Sequence, residues 1–175
     1  LVQPEHSIGR VKNFYGNFAV VVRALTYVLT LGREGIPEAA KNAVLNANYM
    51  MKLLSEKYTM AYAGPCMHEF VMCLQDLKDT TGCSAMDIAK GLLDHGIHPP
   101  TMYFPLIVHE ALMIEPTETE SQETMDAVCG VFLHLWDVAH NDPQALHDAP
   151  TKTPVRRLDE VGAARNPVLR YIPHD

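Results

Sequence analysis

Apolar residues occupy nearly every face of the stretch from Ala19 to Leu31, then settle into one stripe at helical spacing: Ile36, Ala39, Ala40, Ala43, Val44, Ala47, Met51 and Leu54. The first pattern predicts a helix that must be covered on all sides, and the second a helix from about Ile36 to Tyr58 with a single buried face. Gly32 and Gly35 punctuate the turn between them. A chain this small cannot supply all the cover for the first helix, so another domain or subunit is expected beside it. Arg23, inside that run, either extends its charge past the helix edge to solvent or pairs with a buried carboxylate. Asn42 and Asn46 lie one turn apart beside the second stripe; they can bond a neighbouring backbone, but exposed helix asparagines are the commoner case.

Around Tyr58 the period changes. Tyr62-Ala63-Gly64-Pro65 signals a turn, and Met67 to Leu74 alternates with His68, Phe70, Met72 and Leu74 on one face, which predicts a strand. His68 and Glu69 at its start would then point to opposite faces and not cooperate directly. After a polar loop from Asp76 to Gly82, Ser84 with Asp87 makes a capping-box pattern. The helix it opens turns Met86, Ala89, Leu92 and Leu93 inward, keeps Lys90 between Asp87 and Asp94 outside, and stops at Gly96.

The polar chemistry gathers beyond that stop. His98-Pro99-Pro100-Thr101-Met102-Tyr103-Phe104-Pro105 is held extended by its prolines. Leu112, Met113 and Ile114 then read as a buried strand that delivers Glu115 and Thr117 to its exit, where a rigid scaffold presents functional groups. Thr119 with Gln122 suggests the cap of a helix from about Glu120 to His140, whose stripe is Met125, Val128, Cys129, Phe132, Leu133 and Trp136. Glu118, Glu120 and Glu123 crowd its beginning, where the helix dipole favours carboxylates. Asp142-Pro143 starts a further short helix. Pro150, Pro154, Pro167 and Pro173 make the tail extended, with Arg156, Arg157, Arg165 and Arg170 charging it positively.

The order of elements implies an α/β fold: a short, mostly antiparallel sheet with helices packed on one face. Three regions follow: residues 1–35 as an N-terminal arm and apolar helix, which resembles the bridging helix of a larger enzyme reaching toward a missing large domain, 36–149 as a small α/β domain, and 150–175 as an extended C-terminal tail.

Charge and cysteine usage narrow the function. With 14 basic against 21 acidic residues and a net charge of -7, no Lys/Arg stripe is available for nucleic acid. The run from Phe18 to Leu31 is too short to span a bilayer and carries Arg23. Cys66, Cys73, Cys83 and Cys129 have no CxxC pairing or zinc spacing, which suits reduced thiols and a cytoplasmic setting. His95, His98 and His109 have no fixed metal geometry, and no metal site is expected. The chain starts at Leu1, so it is expected to be processed or part of something longer. No nucleophile elbow, P-loop or dinucleotide fingerprint is present.

Several ordered motifs carry a family resemblance. Ser7 to Phe18, Asn46-Ala47-Asn48-Tyr49, Cys66-Met67-His68-Glu69-Phe70, His98-Pro99-Pro100-Thr101, Glu115-Pro116-Thr117-Glu118 and Thr153 to Val161 together resemble the C-terminal part of the glycine cleavage system P-protein, in its two-subunit bacterial form. The resemblance implies the small C-terminal domain of an aspartate-aminotransferase-type (fold type I) enzyme that uses pyridoxal 5'-phosphate. It also implies release of carbon dioxide from glycine, transfer of the aminomethyl group to the lipoyl H-protein, and partnership with P-protein subunit 1. In that family the Schiff-base lysine follows a His and precedes a Gly-rich run. Lys12, Lys41, Lys52, Lys57, Lys78, Lys90 and Lys152 lack that context, so the segment alone is expected neither to hold the cofactor nor to turn over glycine.

Matching the family motifs places His98, Thr101, Glu115, Thr117 and Glu118 as groups lining the cleft; the competing reading is that they only cap helices and fix the loop. Arg156 and Arg157 can present a fork to a substrate carboxylate, or dock the tail. The isolated segment is expected to pair with itself over its first helix. A free-standing interaction module and the small domain of another pyridoxal-phosphate decarboxylase are the alternatives.

Overall fold

A computed structural model describes residues 4–12 and 14–171 of the chain. The expectations for the arm and tail that reach 1–3 and 172–175, Pro173 included, lie outside the described residues. The chain divides into two units, 1–39 and 40–175.

The first unit holds the beginning of helix α1 (Phe18–Leu54). Two separate helices were the expectation here. The structure has them: α1 is two helices that meet at a kink at Gly32, where φ of 65° lies in the left-handed region that glycine occupies without a Cβ penalty. Asn17 Oδ1 accepts from the Val20 N–H at 3.3 Å and supplies the N-terminal cap. Val20, Val21, Leu25 and Leu29 are all more than half exposed. Arg23 is exposed as well, as the solvent reading of that residue requires.

The second unit contains the remainder of α1, then β1 (Thr59–Met60), β2 (Phe70–Cys73), α2 (Gln75–Thr81), α3 (Ala85–Asp94), β3 (Thr101–Met102), β4 (Ala111–Ile114), α4 (Gln122–Asn141), α5 (Pro143–Asp148) and α6 (Glu160–Arg165). The four strands form one antiparallel sheet in the order β1-β2-β4-β3. Along the central pair, Phe70 faces Ile114 and Met72 faces Leu112. Those four side chains are buried in the core with Ala47, Met50 and Leu54 of α1, Ile88 and Leu92 of α3, and Met125, Cys129, Phe132 and Leu135 of α4. Period-two alternation in the strands and the helical stripes therefore meet on one face of the sheet. At Gly91 of α3 a Cβ would come within 3.0 Å of Leu135 and 3.1 Å of Leu146, so this glycine permits the close approach of α3 to α4 and α5.

Several elements differ from the sequence expectation. The strand placed at Met67 to Leu74 is only Phe70–Cys73, because Asn48 engages the preceding backbone: its side chain donates to Cys66 O at 2.7 Å and accepts from Cys66 N at 3.0 Å. The polar loop after it is helix α2, stopped by Gly82 in the left-handed region. Ser84 and Asp87 do form the capping box, but Asp87 is buried rather than solvent-facing. The cap of α4 is Ser121, whose hydroxyl accepts from the Thr124 N–H, two residues beyond the Thr119 expected. The tail contains the short helix α6, with Asp159 accepting from Gly162 N–H at 2.8 Å.

The tail is fastened by carboxylates of α3. Asp94 accepts from the Thr151 and Lys152 N–H groups, both at 2.7 Å. Arg157 donates to Asp87 at 2.6 Å, to Leu146 O at 2.9 Å and to Ala149 O at 2.8 Å. Burial pushes the Asp87 carboxyl upward, yet the hydrogen bonds from Ser84 and the charge of Arg157 outweigh it and hold the group below the usual carboxylate range. No helix among the described residues is long and apolar enough to cross a membrane.

Candidate functional site

The exit of β4 and the approach to β3 lie side by side because the two strands pair, Thr101 opposite Met113 and Met102 opposite Leu112. That pairing brings His98, Pro99, Pro100 and Thr101 to the rim of a hollow of about 670 Å³, which Glu115, Pro116 and Thr117 close from the other strand. Met50 of α1 and Met125, Val128 and Phe132 of α4 form its apolar floor. Four of the five residues expected in a cleft, His98, Thr101, Glu115 and Thr117, thus meet around one hollow. Glu118 is half-buried and lies outside the lining, while Glu120 and Thr124 join it.

The loop that carries Glu115 and Thr117 is under backbone strain and is held by one side chain. Thr117 has φ of 65°, a conformation that a β-branched residue rarely adopts. Asn46 of α1, buried, donates to Thr117 O at 2.9 Å and to Glu120 O at 3.2 Å. Strain of this kind persists only where the surroundings over-determine it. Asn46 is therefore not one of the exposed helix asparagines: the Asn-Ala-Asn sequence of α1 clamps two loops, Asn46 the one after β4 and Asn48 the one before β2. The signal was a pair of amides two positions apart beside a helix stripe, and only the fold shows what they reach.

A second hollow of about 430 Å³ lies on the other side of Met113, lined by Val71, Tyr62, Phe104 and Pro105 together with His68 and Glu69. Its imidazole and carboxylate approach each other, His68 Nε2 to Glu69 Oε2 at 3.9 Å. Sequence reasoning set these two on opposite faces of a strand. β2 begins only at Phe70, so they occupy the preceding loop, where alternation does not apply.

The imidazole of His95 lies 3.0 Å from Gly91 O through Nδ1. Arg157 is committed to Asp87 and two carbonyls, whereas Arg156 is exposed. All four cysteines are free; burial pushes the Cys129 thiol up to about 11. None of the chain's lysines lines the 670 Å³ hollow.

A small antiparallel sheet with helices on one face, whose strand ends present polar groups at a hollow, defines a small α/β domain. The fold match agrees: the crystal structure of glycine decarboxylase (P-protein) of the glycine cleavage system, in inhibitor-bound form, superposes with a TM-score of 0.61 at 20% identity, over 71% of this chain and 28% of that one. The chain belongs to the family described as glycine dehydrogenase, C-terminal domain, whose model matches residues 39–151. It is 60% identical over 165 residues to a Treponema denticola protein named "Probable glycine dehydrogenase (decarboxylating) subunit 2", covering 94% of this chain and 34% of that protein. A Kosmotoga olearia protein of the same name is 52% identical over 170 residues, covering 97% of this chain and 35% of its own length. The chain thus spans about a third of the length of these curated relatives.

Proposed function

We propose that this chain serves a pyridoxal-phosphate-dependent glycine dehydrogenase (decarboxylating), in which it forms one wall of the active cleft. The observation that carries the reading is the convergence of His98, Thr101, Glu115 and Thr117 on one hollow, with Thr117 held in a strained backbone by Asn46. In such an enzyme the cofactor, when bound, supplies an electron sink for the charge left as carbon dioxide departs. Its covalent anchor belongs to the remaining length of the longer relatives, because the lysines here lie away from the hollow. The role of this segment is to orient: the Thr101 hydroxyl and the Glu115 carboxylate supply acceptors on opposite rims, and the Met50, Met125 and Phe132 floor keeps water from the base. Glu118 is half-buried just beyond Thr117. For a substrate carboxylate the exposed Arg156 is the candidate, since Arg157 is engaged by Asp87.

The partners that follow are P-protein subunit 1, the lipoyl H-protein and glycine, in the cytoplasm. The exposed apolar stripe of Val20, Val21, Leu25 and Leu29 is the surface such an assembly would cover, and in the isolated chain a second copy would cover it.

The test uses the full-length protein with its partner subunit, assaying glycine-dependent carbon dioxide release with lipoyl H-protein. Glu115→Gln is expected to lower kcat/KM for glycine by at least about tenfold, or about 1.4 kcal/mol of transition-state stabilisation, with unchanged circular dichroism. Unaltered kcat/KM in this variant would remove the cleft assignment. Borohydride reduction leaving no pyridoxyl adduct anywhere in the full-length protein would remove the enzyme reading itself.

A further inference from the structure

We infer that His68, Glu69 and Glu115 form a binding site for a first-row divalent cation of the zinc class. The three side chains are brought together by the sheet. The last paired residues of the central strands are Phe70 and Ile114, so Glu69 and Glu115, the residues just outside that pair, leave the sheet at the same end. Two like charges held close together repel unless something of opposite sign lies between them. His68 completes the group: one ligand atom from each of the three lies within 4.8 Å of the others. Two donors bound to one ion at about 2.0–2.2 Å each can be at most about 4.4 Å apart. The 3.9 Å between His68 Nε2 and Glu69 Oε2 already falls inside that limit, and it is too long for a hydrogen bond. Among the described residues no hydrogen bond engages any of the three side chains, so their lone pairs are free to coordinate.

The donor chemistry selects the ion. One imidazole and two carboxylates suit zinc or manganese better than calcium, which takes six to eight oxygens, or a thiolate-loving metal. Both segments are anchored a few residues away, Cys66 by Asn48 and Thr117 by Asn46, so the ligands start from a defined spacing. Three protein ligands leave at least one coordination position open to water. The cation would tie the entry of β2 to the exit of β4, on the ridge where Met113 separates the two hollows.

The experiment takes the full-length protein, stripped of metal with a chelator, and titrates it with zinc chloride in a calorimeter alongside His68→Ala and Glu69→Gln. The wild type is expected to bind one equivalent that each variant binds at least about tenfold more weakly. Glu69→Gln keeps the side-chain shape, so it decides the matter even where His68→Ala fails to fold by circular dichroism. Zinc binding with equal affinity and stoichiometry in wild type and Glu69→Gln would assign the ion to other groups, such as the cysteines, and overturn the site. Absence of binding in the wild type would overturn it as well.

Discussion

Asp87 does two jobs that sequence alone would have given to two residues. Its carboxylate caps α3 through Ser84 and also receives Arg157 from the tail, with His147 Nδ1 3.5 Å away. Because the folded carboxyl titrates below the ordinary value of about 3.9, its ionised form stabilises the fold above that value. The contribution is lost as pH falls through the lower, folded value. Asp87→Asn is therefore expected to lose about 1–3 kcal/mol at pH 7, with the gap to wild type closing below about pH 4. Urea unfolding at pH 7 and pH 3 measures this; an equal gap at both values would mean that the ion pair with Arg157 contributes nothing.

Between elements, the strongest dependence runs from α1 to the loop after β4. Asn46 alone supplies a donor to both Thr117 O and Glu120 O. Asn46→Ala leaves those carbonyls without it, which is expected to cost about 1–3 kcal/mol and to release the strained backbone at Thr117. Hydrogen exchange should then quicken at 117–121 while the amides of α3 keep their protection. Uniform exchange across the two regions would show that the loop holds itself. The same clamps explain why β2 is short and why the His68-Glu69 dipeptide escapes strand alternation.

On the scale of the whole molecule, the unsatisfied feature is the first part of α1. Apolar side chains on several of its faces are exposed, with Leu29 at 72% and Phe18 at 82%. Apolar surface of that extent associates in water. The isolated 175-residue chain is expected to sediment as a dimer or larger species at micromolar concentration, and Leu25→Glu with Leu29→Glu to shift it to monomer. A monodisperse wild-type monomer at high concentration would contradict this.

The pattern of the chain already contained the α/β class, the capping box of α3 and the extent of α4, because each rests on spacing within a few turns; of the stripe expected along α1 only Ala47 and Leu54 are buried, while Ile36, Ala40 and Val44 are exposed. It also placed four of the residues that line the 670 Å³ hollow, His98, Thr101, Glu115 and Thr117, since Pro-rich extended backbone and a strand exit announce themselves locally, and the ordered motifs carried the family. What local spacing does not encode is which distant groups meet. Asn46 and Asn48 look like surface amides until the loops they hold, 18 to 74 residues away, are brought to them. Asp87 looks solvent-facing until a tail arginine 70 residues on arrives. Glu115 acquires Glu69 and His68 as neighbours only through the antiparallel register of β2 and β4. Periodicity records which face of an element is buried; the partners across that face are set by chain closure, and so they emerge only in the folded molecule.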